Sequence, residues 1–455
     1  MGIPVELFAK TTNFSIVYQL RSFQLEIWIL NHYATEMFDD KAGRHYWFAK
    51  ELSKKGHNTT VFTASSYLNT NDNVSTEDML YSARTDVYVK FVYVKTPSWS
   101  GNGLSRIKNW FAFYKNLFPV TKTISKEQGK PDVIIASSVH PLTMVAGIQI
   151  GRKLGVPCIC EIRDLWPEAI FSFGKAKENS LLGKIMVCGE HWIYKNADAL
   201  IFTKEGDTDY LKERRWTTAQ GGDIDLAKCH YINNGLDNID FQRRIITDRL
   251  ADLDLEDPAA FLVIYAGTIR PVNNVGNLLD AAKIISGQQG YEDVRFLIYG
   301  DGSDLSVLKE RVAKENIQNV VLKGQVEKRY IPYILSRSSI NILNYSQKQY
   351  NWTRGNSSNK LFEYMASGKP IISTVQMGYS IIDKYQCGIE LESDDAKHLA
   401  DAVISIHDMS HAETLKMGEN GKKGALDFDF TVLTNKLLGV IGDVLDRKKE
   451  KFTSW

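Results

Sequence analysis

The sequence predicts an α/β protein of two doubly wound, Rossmann-like domains that face each other across a cleft. Three observations lead there. The chain has 455 residues, 44% of them hydrophobic, enough for two full cores. Short apolar runs alternate with longer amphipathic ones over nearly the whole length, the pattern of βαβ units whose parallel sheet is covered on both faces. That alternation lapses once, at residues 235–260, where an acidic stretch including Asp252, Asp254, Glu256 and Asp257 reads as a linker between two series. Ligands of open parallel sheets bind beyond the carboxyl ends of the strands, so the site is expected between the domains.

Residues 1–24 read as an extension before the first strand. In the first domain, residues 25–238, apolar runs at 25–30, 58–63, 87–92, 133–137, 156–161 and 199–203 predict strands. Helical patterns at about 43–54, 103–126, 142–153, 181–196 and 206–214 lie between them. The second domain, residues 239–429, repeats the scheme. Its predicted strands are 261–266, 294–299, 320–323, 340–343, 370–374 and 388–391, with helices near 275–287, 303–315, 359–367 and 396–407. No short-period repeat appears.

Composition removes several function classes. Lys and Arg total 55 against 54 Asp and Glu, so no overall field selects nucleic acid, and an anion site must be local. Five cysteines without a CxxC pair make neither a disulfide framework nor a zinc site and suit a reducing cytoplasm. Cys158 and Cys160 fall on one side of a predicted strand and read as buried, inert thiols. No run of 18 apolar residues predicts a membrane span, and the N-terminus has no signal-peptide pattern.

Chemistry concentrates in Ser357-Ser358-Asn359-Lys360-Leu361-Phe362-Glu363-Tyr364, followed by Gly368-Lys369-Pro370. Ser358 and Asn359 suit a helix start, where unpaired N–H groups favour an anion, and Lys360 adds a point charge. Glu363 stands one turn on, on the same face, where its carboxylate can accept hydrogen bonds from sugar hydroxyls. This is a phosphate-and-ribose grip. Tyr265-Ala266-Gly267-Thr268-Ile269-Arg270 ends an apolar run with small residues and a cation. Gly267 and Thr268 let backbone approach a ligand, and the Arg270 guanidinium can engage two phosphate oxygens or simply face solvent.

The 357–370 segment resembles the donor-binding signature of the retaining GT-B glycosyltransferases of family 4 (glycosyl transferases group 1). In that family the closing acid holds the ribose of a nucleotide sugar. By motif order the resemblance covers about residues 25–445. It implies the GT-B fold, a last helix from 430 that returns to the first domain, and Arg270 and Lys360 as the catalytic cations for the departing diphosphate. The Gly43 turn in Asp40-Lys41-Ala42-Gly43-Arg44 resembles the family's small-residue loop, whose N–H faces the donor; Arg44 would face phosphate or solvent. His140, at the end of a predicted strand, matches the family's acceptor-side histidine, with a role in positioning acceptor or sugar. Glu161-Ile162-Arg163-Asp164-Leu165-Trp166-Pro167-Glu168 resembles a subgroup that builds bacterial surface polysaccharides from acetamido sugars. Arg163 and Asp164 are then acceptor-side residues, or Arg163 forms a structural ion pair with Asp164 or Glu161. Asn233-Asn234-Gly235 resembles the interdomain turn and implies hinge geometry.

Two departures matter. Asn273-Asn274-Val275-Gly276 stands where the family has a second phosphate lysine, leaving Lys360 as its replacement, and Gly355 stands where a first acid would contact the sugar. The implied donor is UDP-linked, with no metal or other cofactor. Residues 99–130 interleave aromatics with Arg106, Lys108, Lys115, Lys122, Lys126 and Lys130, which suits an anionic membrane surface or an ordinary amphipathic helix. The expectation is a cytoplasmic enzyme, peripheral at the inner membrane face, acting on a glycan or lipid-linked acceptor. A sugar-nucleotide epimerase of the same fold and a non-catalytic sugar-nucleotide binder are the alternatives.

Overall fold

The computed structural model describes residues 24–453 apart from 102, 139, 173, 175, 349 and 350. The expected N-terminal extension, Gln24 aside, lies outside the described residues. Two sheets organise the chain. The first carries β1 (Glu26–Leu30), β2 (Asn58–Ala64), β3 (Tyr81–Thr85), β4 (Lys90–Val94), β5 (Val133–Ser137), β6 (Cys158–Ile162), β7 (Ala199–Phe202) and β8 (Cys229–Tyr231), in the order β3-β4-β2-β1-β5-β6-β7-β8. All its pairs are parallel except β3 with β4. The second sheet is wholly parallel, in the order β11-β10-β9-β12-β13-β14. Its strands are β9 (Phe261–Ala266), β10 (Val294–Tyr299), β11 (Val320–Gly324), β12 (Ile340–Leu343), β13 (Ile371–Ser373) and β14 (Gly388–Glu390). Each central strand is buried on both faces, which is why it reads as a continuous apolar run.

The helices used below are α1 (Arg44–Lys54), α2 (Leu104–Gln128), α3 (Pro141–Leu154), α4 (Leu181–Asn196), α5 (Asn238–Thr247), α6 (Asn359–Ser367) and α7 (Phe430–Thr453). Four outcomes differ from expectation. The strand expected at 87–92 lies at Lys90–Val94, because Asp86 accepts from the N–H groups of Tyr88 and Val89 and holds a turn there. β3 and β8 escape the apolar pattern, one a polar edge strand and the other three residues long. The stretch 235–260 is not an open linker: it folds as α5 and a short helix, Leu253–Glu256, with Phe241 and Leu255 in the second core. Finally, His411–Leu426 is helical despite Gly418, Gly421 and Gly424. Those glycines face α6 at spacing i, i+3, and a Cβ at Gly418 would stand 2.0 Å from the Gly368 carbonyl oxygen. The residues that usually weaken a helix here permit its close approach.

The chain crosses between the sheets twice, side by side. Leu236 N–H donates to Phe428 O at 3.1 Å and Phe430 N–H to Leu236 O at 3.1 Å. A Cβ at Gly235 would lie 1.8 Å from Phe428 O, so only glycine fits this crossing. Past it α7 returns to the first domain, burying Phe430, Leu433, Leu437 and Ile441 beside Phe48 and Ile27.

One buried carboxyl opposes the fold. Glu190 on α4 accepts from Tyr194 at 2.8 Å and Tyr210 at 2.5 Å, and burial, against those hydroxyls, raises its pKa from 4.5 to about 8. The folded chain keeps a proton that the unfolded chain has lost, so this group makes stability fall as pH rises from about 4.5 to about 8. Glu190→Gln keeps both contacts and removes the proton uptake. It should raise stability at neutral pH by about 1–3 kcal/mol and leave it unchanged at pH 4, read from urea midpoints at the two pH values.

Candidate functional site

Three strand ends build a floor of bare backbone. β9 runs out into Gly267-Thr268 and β10 into Gly300-Asp301-Gly302, and Gly267 N–H donates to Tyr299 O at 2.9 Å, Ile269 N–H to Asp301 O at 2.9 Å and Gly300 N–H to Gly324 O at 2.7 Å. A Cβ at Gly300 would sit 1.8 Å from Gly267 O, and one at Gly302 2.1 Å from Ile269 O. Above this floor opens a cavity of about 410 Å³ lined by Gly267, Thr268, Gly300, Asp301, Val326 and Lys328. Backbone exposed in this way lets a flat or anionic ligand approach closely.

α6 supplies the charges. The Lys360 ammonium donates to the Tyr265 hydroxyl at 3.0 Å and lies 4.6 Å over its ring and 5.6 Å over that of Tyr345. It rests against Gly267, where a Cβ would come within 2.0 Å of Nζ. Burial lowers its pKa to about 8; Glu363 opposes the fall and Arg270 adds to it. Arg270 itself is exposed at the start of the turn 271–273. Burial raises the Glu363 carboxyl, against the pull of Lys328 and Lys360. Glu363 and Lys328 line a second cavity of about 410 Å³ between the domains, whose other wall includes Asp40, Ala42, Trp47 and Asp237. Lys328 borders both cavities. The structure therefore gathers Gly267, Thr268, Arg270, Lys360 and Glu363 at the carboxyl edge of the second sheet, opposite the loop that ends in Gly43. Gly43 begins α1 at φ +101°, a conformation that favours glycine.

Several expectations are corrected. The Ser358 hydroxyl does not cap α6; it binds the Tyr345 hydroxyl at 2.8 Å, while Asn359 is exposed in the first turn. Arg44 faces neither phosphate nor solvent. It is buried, donating to Glu161 at 2.8 Å, Ile232 O at 2.9 Å and Asn233 O at 2.5 Å. Glu161 also meets His45 at 3.0 Å and Ser137 Oγ at 2.8 Å, so its ion pair is with α1 rather than with Arg163. Burial alone would raise this carboxyl; Arg44 and His45 overturn that and hold it well below its usual range. His140 does stand at the end of β5, as the first cap of α3, but it is fully buried instead of facing the cleft. Trp110 stacks on it at 4.8 Å, and its Nε2 meets His32 Nδ1 at 2.8 Å. Burial, then His32 and Arg106, keep the ring neutral, and its Nδ1 has no hydrogen-bond partner among the described residues. Arg163 is half-buried, and exposed Asp164 stands in the lining of an apolar cavity between α3 and α4.

The backbone leading into α6 is partly committed across the domain boundary. Asn233 Nδ2 donates to Asn356 O at 3.0 Å and Asn234 Nδ2 to Ser357 O at 2.6 Å. The Asn-Asn-Gly turn thus clamps the segment leading into α6 as well as shaping the crossing. Arg354 extends the clamp. Buried, it pairs with Glu168 at 2.8 Å and Glu213 at 2.9 Å, and its carbonyl accepts from Gly206 N–H at 3.1 Å. Sequence reasoning missed Arg354, Lys328 and the Gly300-Asp301-Gly302 loop. The loop carried a signal, two glycines straddling one residue after a predicted strand; the two cations carried none, since only the fold brings their partners near.

The comparisons agree with this architecture. Residues 260–409 match the family model described as glycosyl transferases group 1, and residues 44–220 match the glycosyl transferase 4-like domain. No curated protein matches. Among solved structures, sucrose-phosphate synthase from Thermosynechococcus elongatus is 17% identical, covering 95% of this chain and 100% of its own, with a TM-score of 0.65. Anabaena HepE in complex with UDP is 12% identical over 92% of this chain and 100% of its own, TM-score 0.62. Trehalose 6-phosphate synthase from Burkholderia multivorans is 12% identical over 93% and 99%, TM-score 0.68. At such identities the structures speak for the fold, and the two matched domains speak for the chemistry: the protein is a glycosyltransferase of GT-B fold.

Proposed function

We propose that the protein is a retaining transferase that moves a sugar, an N-acetylated hexosamine or a deoxy relative, from a UDP-sugar to a glycan or lipid-linked acceptor in surface polysaccharide synthesis. One observation carries the donor half of this reading: Lys360 and Arg270 stand beside a glycine-floored cavity while Glu363 lines the adjoining one. A diphosphate over Gly267 meets Lys360, Arg270 and the first amides of α6, and charge growing on the departing UDP is stabilised there without a metal. Uracil and ribose extend toward Gly300–Gly302 and Glu363. The sugar points at the loop ending in Gly43, and the acceptor enters beside Arg163 and Asp164. Attack on the donor's own leaving-group face, assisted by the leaving phosphate, accounts for retention. Enclosed behind Trp110, His140 acts as a positioning residue.

A mass-spectrometric screen of UDP-sugars against lipid-linked acceptors tests the proposal and is expected to return a glycosylated acceptor plus UDP. Conversion of UDP-GlcNAc to an epimer without acceptor would instead establish an epimerase, and UDP binding with no turnover on any acceptor a binding protein.

The lysine makes a pH signature. Below about 8 the free enzyme carries the Lys360 charge, so UDP affinity is flat; above it the cation is lost and affinity falls, by up to about tenfold per pH unit. Calorimetric titration with UDP from about pH 7 to about pH 9 should show this bend in the parent and a weaker, pH-independent affinity in Lys360→Met. A bend that survives Lys360→Met would assign it to another group.

A further inference from the structure

The outer face of the first domain carries two exposed apolar ends. Leu104, Ile107 and Phe111 stand exposed in the first turns of α2, and Leu181, Leu182 and Ile185 in the first turns of α4. α3 packs against both helices. On α2, exposed Lys115 and Lys122 follow Leu104 and Phe111 at helical spacing, so the stripe changes from apolar to basic along the helix. All three helices connect successive parallel strands, so their N-terminal ends lie at the carboxyl edge of the sheet, where the cleft opens.

Between α3 and α4 opens a cavity of about 200 Å³ lined by Leu142, Val145, Trp166, Met186, Gly189 and Ile193. Its inner wall reaches the acceptor side: Trp166 meets Trp110 edge-on at 5.9 Å, and Trp110 stacks on His140. Its outer wall is the helix that presents Leu182 and Ile185 to solvent. Asp164 stands at its margin. An apolar slot that joins an exposed apolar rim to the acceptor side, on a domain whose α2 stripe turns from apolar to basic, matches an amphiphile whose chain is apolar and whose head is anionic.

We propose that this cavity binds the hydrocarbon chain of the lipid-linked acceptor, delivered from an anionic bilayer on which the first turns of α2 and α4 rest. The proposal builds on the transferase reading above by naming the acceptor class and its place.

Gly189 offers a clean perturbation. It is exposed on α4, lines the cavity, and nothing lies within 4 Å of where its Cβ would stand, so the backbone there accepts a side chain, and Gly189→Phe is chosen to obstruct the slot. The full chain is irradiated with a photoreactive farnesyl phosphate and the adducts are mapped by mass spectrometry. Label is expected on residues 141–145 and 182–193, competed by unlabelled farnesyl phosphate and reduced about tenfold in Gly189→Phe, with UDP affinity unchanged. Label undiminished in Gly189→Phe would overturn the proposal. So would label displaced equally by phosphatidylglycerol vesicles, which would assign the slot to bulk lipid. Neither readout requires turnover: loss of UDP binding with labelling intact would count against the donor site, not against this one.

Discussion

Arg270→Ala should lower kcat/KM by about 10²–10³-fold, roughly 2.7–4 kcal/mol of lost transition-state stabilisation, with the melting temperature little changed. The guanidinium is exposed, so the fold gives up little packing when it goes. Its work is electrostatic, because it stands close enough to depress Lys360. Two neighbouring cations repel until an anion arrives between them, and that repulsion is relieved most where the leaving diphosphate gains charge. The same coupling supplies an internal check. Without Arg270 the Lys360 pKa rises, so the alkaline bend in UDP affinity should move upward in Arg270→Ala. Steady-state kinetics with the donor found by screening, together with the pH titration, measure both effects. If Arg270→Ala and Glu363→Ala bind UDP as the parent does, the donor site lies elsewhere.

Glu161→Ala should be the most damaging substitution for the fold, costing about 3–5 kcal/mol, because it strands a buried cation. Arg44 and His45 would lose their carboxylate while remaining enclosed, and Arg44 would be left with the Ile232 and Asn233 carbonyls and the Asn234 amide. The sign of the pH dependence follows from the depressed folded pKa. The stabilisation is full above the unfolded value of 4.5 and is lost as pH falls through the lower folded value. Acid unfolding of the parent should therefore show a component that Glu161→Ala lacks. A second consequence is functional. Arg44 holds the carbonyl of Asn233 and the side chain of Asn234, and those two asparagines clamp Asn356 and Ser357 at the entrance to α6. UDP affinity should fall in Glu161→Ala even under conditions where the chain stays folded. Thermal melts and UDP titration separate the two losses.

Much of the second domain was legible because its central strands are buried on both faces and its helices carry one apolar stripe. Phe261–Ala266, Val294–Tyr299 and Ile340–Leu343 were bounded correctly by apolar runs alone, as were helices Asn359–Ser367 and Ala396–His407. The same logic fails where packing is made by backbone instead of side chains. The helix His411–Leu426 was not among the expected ones, and its Gly418, Gly421 and Gly424 form its contact surface. Asp252–Asp257 looked like a linker, yet Asp252 binds Tyr299 at 2.8 Å and Lys323 at 2.6 Å, which places an acidic stretch firmly on the second domain.

The donor segment divides along the same line. Local spacing alone determined that Lys360 and Glu363 share one turn of a helix that starts in small polar residues and ends at Gly368, and that Arg270 follows a strand. Helical period and strand ends are short-range properties, and the residues involved lie within a few positions of one another. Only the tertiary structure decided that Lys360 lies over Gly267, that Lys328 borders both cavities, that Arg44 serves Glu161 instead of a phosphate, and that His140 is closed off by Trp110. Each of those outcomes joins residues dozens to more than a hundred positions apart. Burial there sets whether a cation is a ligand group or a structural one, and burial is a property of the assembled fold.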